Sequence, residues 1–329
     1  MGVKIGNLEL KYGIMLAPMA GYSDRAMRAV CHRWGAEYSV SEMISAKAVT
    51  YGDKKTFKLA GIREDEGPVA LQIFGSEPEI MARAARALSA PQVGAGYVAP
   101  VAIDINMGCP VNKIFSNGEG SALMRDPRRI EEIVAAVKES TSLPVTVKIR
   151  AGITPDSINA VECALAAERG GADLLCVHGR TRVQMYSGQV DRDVIKNVKQ
   201  SLHIPVIANG DILTGADAVS MLEYTGADGI AVGRGAVGNP FVFAEILSAL
   251  SGETYTPPML AERVECALWQ LRLSVENKGE SCAVPEARKQ IAMYLRAFPG
   301  AATLRAEINR ATRYTEVETV LRGVLADGD

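Results

Sequence analysis

The sequence predicts an α/β chain built as a (β/α)8 barrel followed by a small C-terminal helical bundle. Three observations carry this. Short apolar runs alternate with longer amphipathic stretches from the start to about residue 247. The strand candidates number eight, the count that closes a parallel barrel. The alternation then stops at Ser251-Gly252-Glu253-Thr254-Tyr255-Thr256-Pro257-Pro258, and only helical periodicity follows.

In chain order the strand candidates are Ile14–Ala17, Tyr38–Ser41, Val69–Ile73, Ala102–Asn106, Val145–Ile149, Leu174–His178, Val206–Ala208 and Gly229–Val232. Helix-like stretches such as Asp126–Ser140 and Asp156–Arg169 separate most of them. A weak internal repeat supports a barrel. Pro144-Val145 leads to Gly171-Ala172-Asp173 before the sixth strand, and Pro205-Val206 leads to Gly226-Ala227-Asp228 before the eighth. An open doubly wound sheet would need a Gly-rich turn after its first strand, where Met15-Leu16-Ala17-Pro18 offers none. Beyond the two prolines, helices are expected near Ala261–Asn277, Pro285–Ala297, Thr303–Thr312 and Glu316–Leu325. These make a bundle of about 75 residues, short for a second catalytic fold. The expected division is therefore 1–250 for the barrel and 251–329 for the helical domain.

Composition narrows the function. Hydrophobic residues make up 48% of the 329, enough for a large core, and the net charge is −2. Any nucleic-acid binding must come from a local basic face, because the molecule as a whole is no polycation. The six cysteines form no CxxC pair, and the N-terminus shows no signal peptide, so reduced thiols in a cytoplasmic protein are expected. No apolar run reaches the ~18 residues of a membrane span. The three histidines form neither HxH nor HExxH, so no metal site is expected.

A barrel of this kind builds its site at the C-terminal ends of its strands. There the chain places Pro18-Met19-Ala20-Gly21, Ser41-Glu42-Met43, Gln72, Asn106-Met107-Gly108-Cys109, Lys148, His178-Gly179-Arg180, Asn209-Gly210-Asp211 and Gly233-Arg234-Gly235. A purely structural barrel has no need of so many polar groups, each costly inside a sheet unless paired. Cys109 follows a β-branched run and sits between a glycine and a proline, a placement suited to chemistry; the alternative is a small buried hydrophobe. Alternation sets Val145 and Val147 on one face and Thr146 and Lys148 on the other. Lys148 is then either a rim charge or a fixed cation facing an electron-rich ring or phosphate. His178 is either a satisfied core histidine or part of the site. The glycine-flanked turns after strands seven and eight occupy the usual phosphate site of a barrel, where Arg234 can supply a bidentate contact. Without a Walker motif, this cradle with Lys148, Gln72 and a backbone cap at Pro18–Ala20 suits flavin mononucleotide (FMN).

These segments together resemble the tRNA-dihydrouridine synthases, most closely the bacterial B-type. The resemblance rests on Ala17-Pro18-Met19-Ala20-Gly21-Tyr22-Ser23-Asp24, Ser41-Glu42-Met43, Asp104-Ile105-Asn106-Met107-Gly108-Cys109-Pro110, Gly120-Ser121-Ala122-Leu123-Met124, Val147-Lys148-Ile149-Arg150, Val177-His178-Gly179-Arg180-Thr181-Arg182, Ala208-Asn209-Gly210-Asp211-Ile212 and Gly233-Arg234, and it runs from about residue 5 to residue 320. It implies NADPH-dependent, FMN-mediated reduction of a uracil C5–C6 bond in tRNA. It also implies FMN contacts at Pro18, Met19, Ala20, Gln72, Lys148, His178, Asn209, Gly210, Asp211, Gly233 and Arg234, with Cys109 as proton donor. Asn106 and Arg180 match residues that contact the target base or its neighbours. Two departures stand out: Pro91–Pro100 is longer and richer in Gly and Pro than the usual turn, and Gln290 stands where the family often has histidine.

A tRNA partner also needs positive charge. From Arg288 to Arg313 the basic residues Arg288, Lys289, Arg296, Arg305, Arg310 and Arg313 face the single acid Glu307. Helical spacing places Arg288 and Arg296 on one face with Ala292 between them, and Ile291 and Leu295 on the core side. Arg288, Lys289 and Arg296 are therefore the candidate tRNA contacts. Two other readings remain at this level: an FMN barrel reducing a free pyrimidine, and a non-catalytic RNA-binding factor. The basic helical appendage opposes the first; Cys109, Lys148 and the phosphate cradle oppose the second.

Overall fold

The structure, a computed structural model, describes residues 2–90, 96–296, 298 and 300–326. Half of the unusual Pro91–Pro100 segment, residues 91–95, lies outside the described residues.

The chain opens with an antiparallel hairpin, β1 (Val3–Ile5) and β2 (Leu8–Leu10). The barrel strands are β3 (Ile14–Leu16), β4 (Tyr38–Val40), β6 (Val69–Phe74), β7 (Ala102–Asn106), β8 (Val145–Arg150), β9 (Leu174–His178), β10 (Val206–Asn209) and β11 (Gly229–Val232). They run parallel in sequence order, and the β11–β3 and β4–β6 pairings close the ring. Each expected strand is present to within a residue at its ends. The sequence reading missed the hairpin and the two-residue β5 (Ile44–Ser45). β5 continues the line of β4 along β6, so Ser41–Met43 is a break within one barrel position.

Alternation sorts the side chains. Met15, Tyr38, Val40, Ala70, Ala102, Leu174, Cys176, Ile207 and Ala231 fill the barrel interior, with Val3, Ile5 and Leu10 of the hairpin joining the same cluster. Val3 reaches Gly13 just before β3, and Pro144 just before β8 crowds Gly6, so the hairpin closes the N-terminal mouth. The opposite parity (Ile14, Leu16, Leu71, Ile73, Ile103, Ile105, Val145, Val147) packs outward under the helices. With its lower end filled by apolar side chains, the barrel opens only at the strand C-termini.

Helices α1 (Arg25–Arg33), α2 (Ala46–Thr50), α3 (Lys54–Leu59), α4 (Pro78–Leu88), α5 (Asn112–Ser116), α6 (Pro127–Ser140), α7 (Ala160–Arg169), α8 (Arg192–Ser201), α9 (Gly215–Thr225) and α10 (Val242–Ser251) connect or follow the strands. The expected helix Asp156–Arg169 is shorter than its periodicity implied. The amides of Asn159 and Ala160 both donate to the Ala151 carbonyl, which holds the chain back until α7 begins.

Four helices form the C-terminal region: α11 (Leu260–Lys278), α12 (Glu280–Ile291), α13 (Ala301–Arg310) and α14 (Tyr314–Ala326). α11 lies against α1, with Trp269 packed on Ala26, Ala29 and Leu273. Pro285, read from sequence as a helix start, is inside α12. Its missing N–H leaves the Ser281 carbonyl unpaired on an exposed face, where water can serve it. The expected continuous helix through Ala292 is also corrected. After Ile291 the chain tightens into a 3₁₀ turn, Ala292–Leu295, and Ala292 is buried. Arg288 and Arg296 therefore share no α-helical face.

Candidate active site

The barrel's open end holds a cavity of about 550 Å³. Its floor is made by rungs of inward-facing polar residues. β6, β7 and β8 align Gln72, Asp104 and Thr146, and the next rung pairs Asn106 with Lys148. Above these, β8, β9 and β10 align Arg150, His178 and Asn209. The rim is completed by Pro18–Ala20 after β3 and by the turns Gly210–Asp211 and Gly233–Arg234–Gly235. Those two turns touch: a Cβ on Gly235 would lie 2.5 Å from the Ile212 carbonyl oxygen. Gly210, at φ +124°, brings its backbone close to His178, and a Cβ there would meet Val190 at 2.8 Å.

All eleven expected cofactor positions line this one cavity, as do Asn106, Cys109, Lys289 and Arg296. Arg180 and Arg288 do not. Arg180, expected to touch the target base, is 2% exposed and fully engaged. Its Nε donates to the Ser187 carbonyl at 3.0 Å, and its Nη2 donates to the Gly188 carbonyl and to Asp211, each at 2.6 Å. It holds the loop after β9 instead of facing the cavity. Arg288, expected to contact tRNA, donates through Nε and Nη2 to the Ala311 carbonyl at the end of α13. Its charge serves a helix C-terminus, a favourable place for a cation.

The cavity's electrostatics favour an anion. Lys148 lines it with an ammonium that makes no hydrogen bond or ion pair among the described residues, and burial lowers its pKa. Arg150 is anchored by three carbonyls: Gly108 at 2.8 Å, Thr181 at 3.0 Å and Met185 at 2.9 Å. Arg234 is half exposed, its one ion pair among the described residues being with Asp211 at 3.4 Å. His178 is buried, and its pKa is pushed far below the ordinary 6.5 by that burial and by Lys148, Arg150, Arg180 and Arg234. It is a neutral imidazole inside a ring of cations.

Cys109 is 8% exposed, and its amide donates to Asn106 Oδ1 at 2.9 Å. Burial pushes the thiol pKa up, against opposing effects of the Val111 amide, Arg150 and Lys148. The group is therefore a protonated thiol near neutral pH, which suits a proton donor better than a nucleophile.

Three contributors escaped the sequence reading, and a fourth, Arg150, was read only as a strand-end residue with no role of its own. Asp104 accepts from Thr146 Oγ1 at 2.5 Å and Gln72 Nε2 at 2.7 Å. Arg150 ties the Cys109 loop to the loop after β9. Tyr186 lies at the mouth with Arg234 4.9 Å from its ring centroid. Tyr22, also at the mouth, sits under the Lys289 ammonium at 4.4 Å. Only the first two had a usable signal: charged residues at the inward parity of a strand.

Gln290, the departure from the family's frequent histidine, is buried. It accepts from Gln270 Nε2 at 2.7 Å and donates to the Tyr22 carbonyl at 3.3 Å, which joins the C-terminal helices to the barrel rim. A second cavity of about 570 Å³ lies in that junction, lined in part by Glu42, Lys278 and Lys289.

A closed parallel barrel with a cation-lined cavity and a protonated thiol at its rim defines a (β/α)8-barrel enzyme whose site is built to receive an anionic ligand. The family model "Dihydrouridine synthase (Dus)" matches residues 15–327, and the chain belongs to that family. It is 41% identical over 309 residues to a probable tRNA-dihydrouridine synthase of Rickettsia conorii, covering 93% of this chain and 91% of that one. It is 41% identical over 294 residues to tRNA-dihydrouridine synthase B of Shewanella oneidensis, with 89% of each chain covered. Among solved structures, morphinone reductase in complex with tetrahydroNAD shares the barrel fold, with a TM-score of 0.52 and 14% identity over 80% of this chain and 93% of that one.

Proposed function

We propose that this chain is a tRNA-dihydrouridine synthase that uses FMN and NADPH to reduce the C5–C6 double bond of a uridine in tRNA. The observation that carries the reading is the half-buried Lys148 ammonium, open to the cavity and without an acceptor among the described residues, beside Asn106, from which the Cys109 amide hangs. An unpaired half-buried cation is costly unless an anionic partner arrives.

The residues fit FMN. Gly210, Asp211, Gly233 and Arg234 would hold its phosphate, Pro18–Ala20 would back one face of its ring system, and Gln72 and Lys148 would meet its pyrimidine edge. When bound, the flavin supplies the hydride that enters uracil at C6. Reduction there leaves negative charge that a proton at C5 must quench. Cys109 delivers that proton as a general acid, its thiol kept protonated by burial. Lys148 would hold the flavin's electron-rich edge and supply positive charge there.

The tRNA substrate must extrude its uridine, at a cost of a few kcal/mol. Lys289 and Arg296 at the cavity mouth are placed to offset this on the phosphates, and Tyr22 and Tyr186 to stack on bases. Among the described residues no helix is long and apolar enough to cross a membrane. The test has two parts. The purified protein should carry flavin absorption bands, and pre-reduced protein should form dihydrouridine in tRNA within one turnover. Absent flavin overturns the reading; flavin with activity only on free pyrimidine moves the substrate to a small molecule.

A further inference from the structure

We propose that Asp104 is a positioning residue for the Cys109 loop, acting through the ordered side-chain amides of Gln72 and Asn106. The inference rests on the proposed function for its catalytic meaning, though its geometry stands alone.

Asp104 is buried at 3% exposure in the middle of β7, two residues before Asn106 and so on the same inward face. An ionised carboxylate can only accept. Oδ1 receives the Thr146 hydroxyl at 2.5 Å, and Oδ2 receives Gln72 Nε2 at 2.7 Å. Gln72 must therefore turn its nitrogen down to Asp104 and its Oε1 up to Asn106, whose Nδ2 donates to it at 2.8 Å. Asn106 is then left with Oδ1 for the loop. That oxygen accepts from the Gly108 amide at 3.2 Å and the Cys109 amide at 2.9 Å. Every link is a donor meeting an acceptor, and the direction of the whole chain is set at its foot.

Reversing the foot reverses the chain. An asparagine at position 104 with its Nδ2 toward Gln72 is satisfied by Gln72 Oε1, which turns Gln72 Nε2 toward Asn106. Asn106 must answer with its oxygen, and its Nδ2 then faces two backbone amides, donor against donor. The Cys109 amide loses its acceptor, and the loop that aims the thiol is released. Lys148, Tyr38 and Cys176 also surround Asp104 inside the barrel; of these Lys148 also acts on the Cys109 thiol, through its charge alone, while the hydrogen-bonded path to the Cys109 loop runs through Gln72 and Asn106.

The test uses Asp104→Asn in a Cys282→Ser background, since Cys282 is the exposed thiol. Alkylation of Cys109 by iodoacetamide, located by peptide mass, is followed in the holoenzyme without tRNA. We expect D104N to change that rate, and to slow single-turnover dihydrouridine formation with unchanged KM for tRNA, by about tenfold or more, the scale of a misplaced reacting group. Thr146→Val removes a donor to Asp104 that lies off the path to Cys109, so its alkylation rate should match the parent. The double variant D104N/Q72E puts an acceptor back at position 72, which restores the direction of both upper links and the parent alkylation rate. That variant decides the matter even where D104N alone is insoluble. Parent-like alkylation in D104N, an equal effect in T146V, or no restoration in soluble D104N/Q72E each overturns the inference. A parent without flavin or tRNA turnover removes the proposed function and leaves the alkylation result to judge the chain of amides.

Discussion

The Arg180 guanidinium donates to the Asp211 carboxylate at 2.6 Å, and Asp211 is held in the left-handed region at φ 52°. This pair fastens the loop after β9 to the turn after β10. Asp211 Oδ2 also accepts the Val190 amide at 2.9 Å, so one carboxylate gathers both strand ends at the Gly210–Arg234 side of the cavity.

Arg180→Met should therefore act on stability. It removes the side-chain donor to the Ser187 and Gly188 carbonyls and the short ion pair to Asp211, which keeps the Val190 amide, and breaking one side of a buried charged network costs about 3 kcal/mol. Urea unfolding should show a loss of that order. A change below about 0.5 kcal/mol, the size of an ordinary surface substitution, would mean the pair does not hold the rim.

Cys109→Ala should retain flavin and tRNA affinity and lose turnover by about 10²–10⁴-fold, the usual effect of one acid–base group. The measurement is single-turnover dihydrouridine formation with pre-reduced protein. Unchanged formation would return Cys109 to a packing role.

Arg234→Ala should weaken flavin retention by removing a charge-assisted hydrogen bond to the phosphate. Flavin content after extensive dialysis checks it, and full occupancy counts against the assignment. The fold should be little disturbed, because Arg234 is half exposed and its contacts are a long ion pair to Asp211 and the Tyr186 ring.

Neutralising Lys289 and Arg296 together should weaken tRNA binding and reduce the slope of log K against log[salt] by about two units, one for each phosphate no longer neutralised. Arg288→Ala should instead lower thermal stability, by removing the cation at the end of α13, and should leave the salt slope near the parent's. An unchanged slope in the double variant would move the footprint to the barrel rim near Arg182.

His178 gives a pH dependence of definite sign. Its folded-state pKa lies far below the ordinary 6.5, so the native state binds fewer protons than the unfolded state. The stability this confers is present above pH 6.5 and is lost as pH falls, with a limiting slope of about 1.4 kcal/mol per pH unit. Asp104 acts oppositely. Burial raises its pKa from 3.8 to about 6, so the native state gains stability as pH falls through that window. Comparing parent with His178→Asn in flavin-free protein isolates the imidazole: between pH 7 and 5.5 the parent should lose more stability. Parallel curves would mean His178 is protonated in the folded state.

Much of this architecture is local information. Eight apolar runs, their turns and the prolines at Pro257-Pro258 specify strands, loops and the passage to helices, because strand alternation and turn chemistry depend on neighbours in sequence. The same period-2 alternation places Thr146, Lys148 and Arg150 on one inward face. Site candidates found at strand ends line one cavity because closure of a parallel barrel brings every C-terminal end to one rim. The hairpin β1–β2 was not legible, since two three-residue strands carry too few alternations to register.

Sequence by itself determined the barrel, its rim and the placement of Cys109, Lys148 and Arg234 on that rim. Tertiary structure decided which of the charged groups are free to meet a ligand. Arg180, Arg288 and Arg234 look alike as letters; carbonyls and Asp211 engage the first, the Ala311 carbonyl engages the second, and the third faces the cavity. Asp104 and Gln290 likewise acquired their roles only from partners 32 and 20 residues away. A hydrogen bond depends on where its partner lies in space, and that position is set by strand register and helix packing across the whole chain.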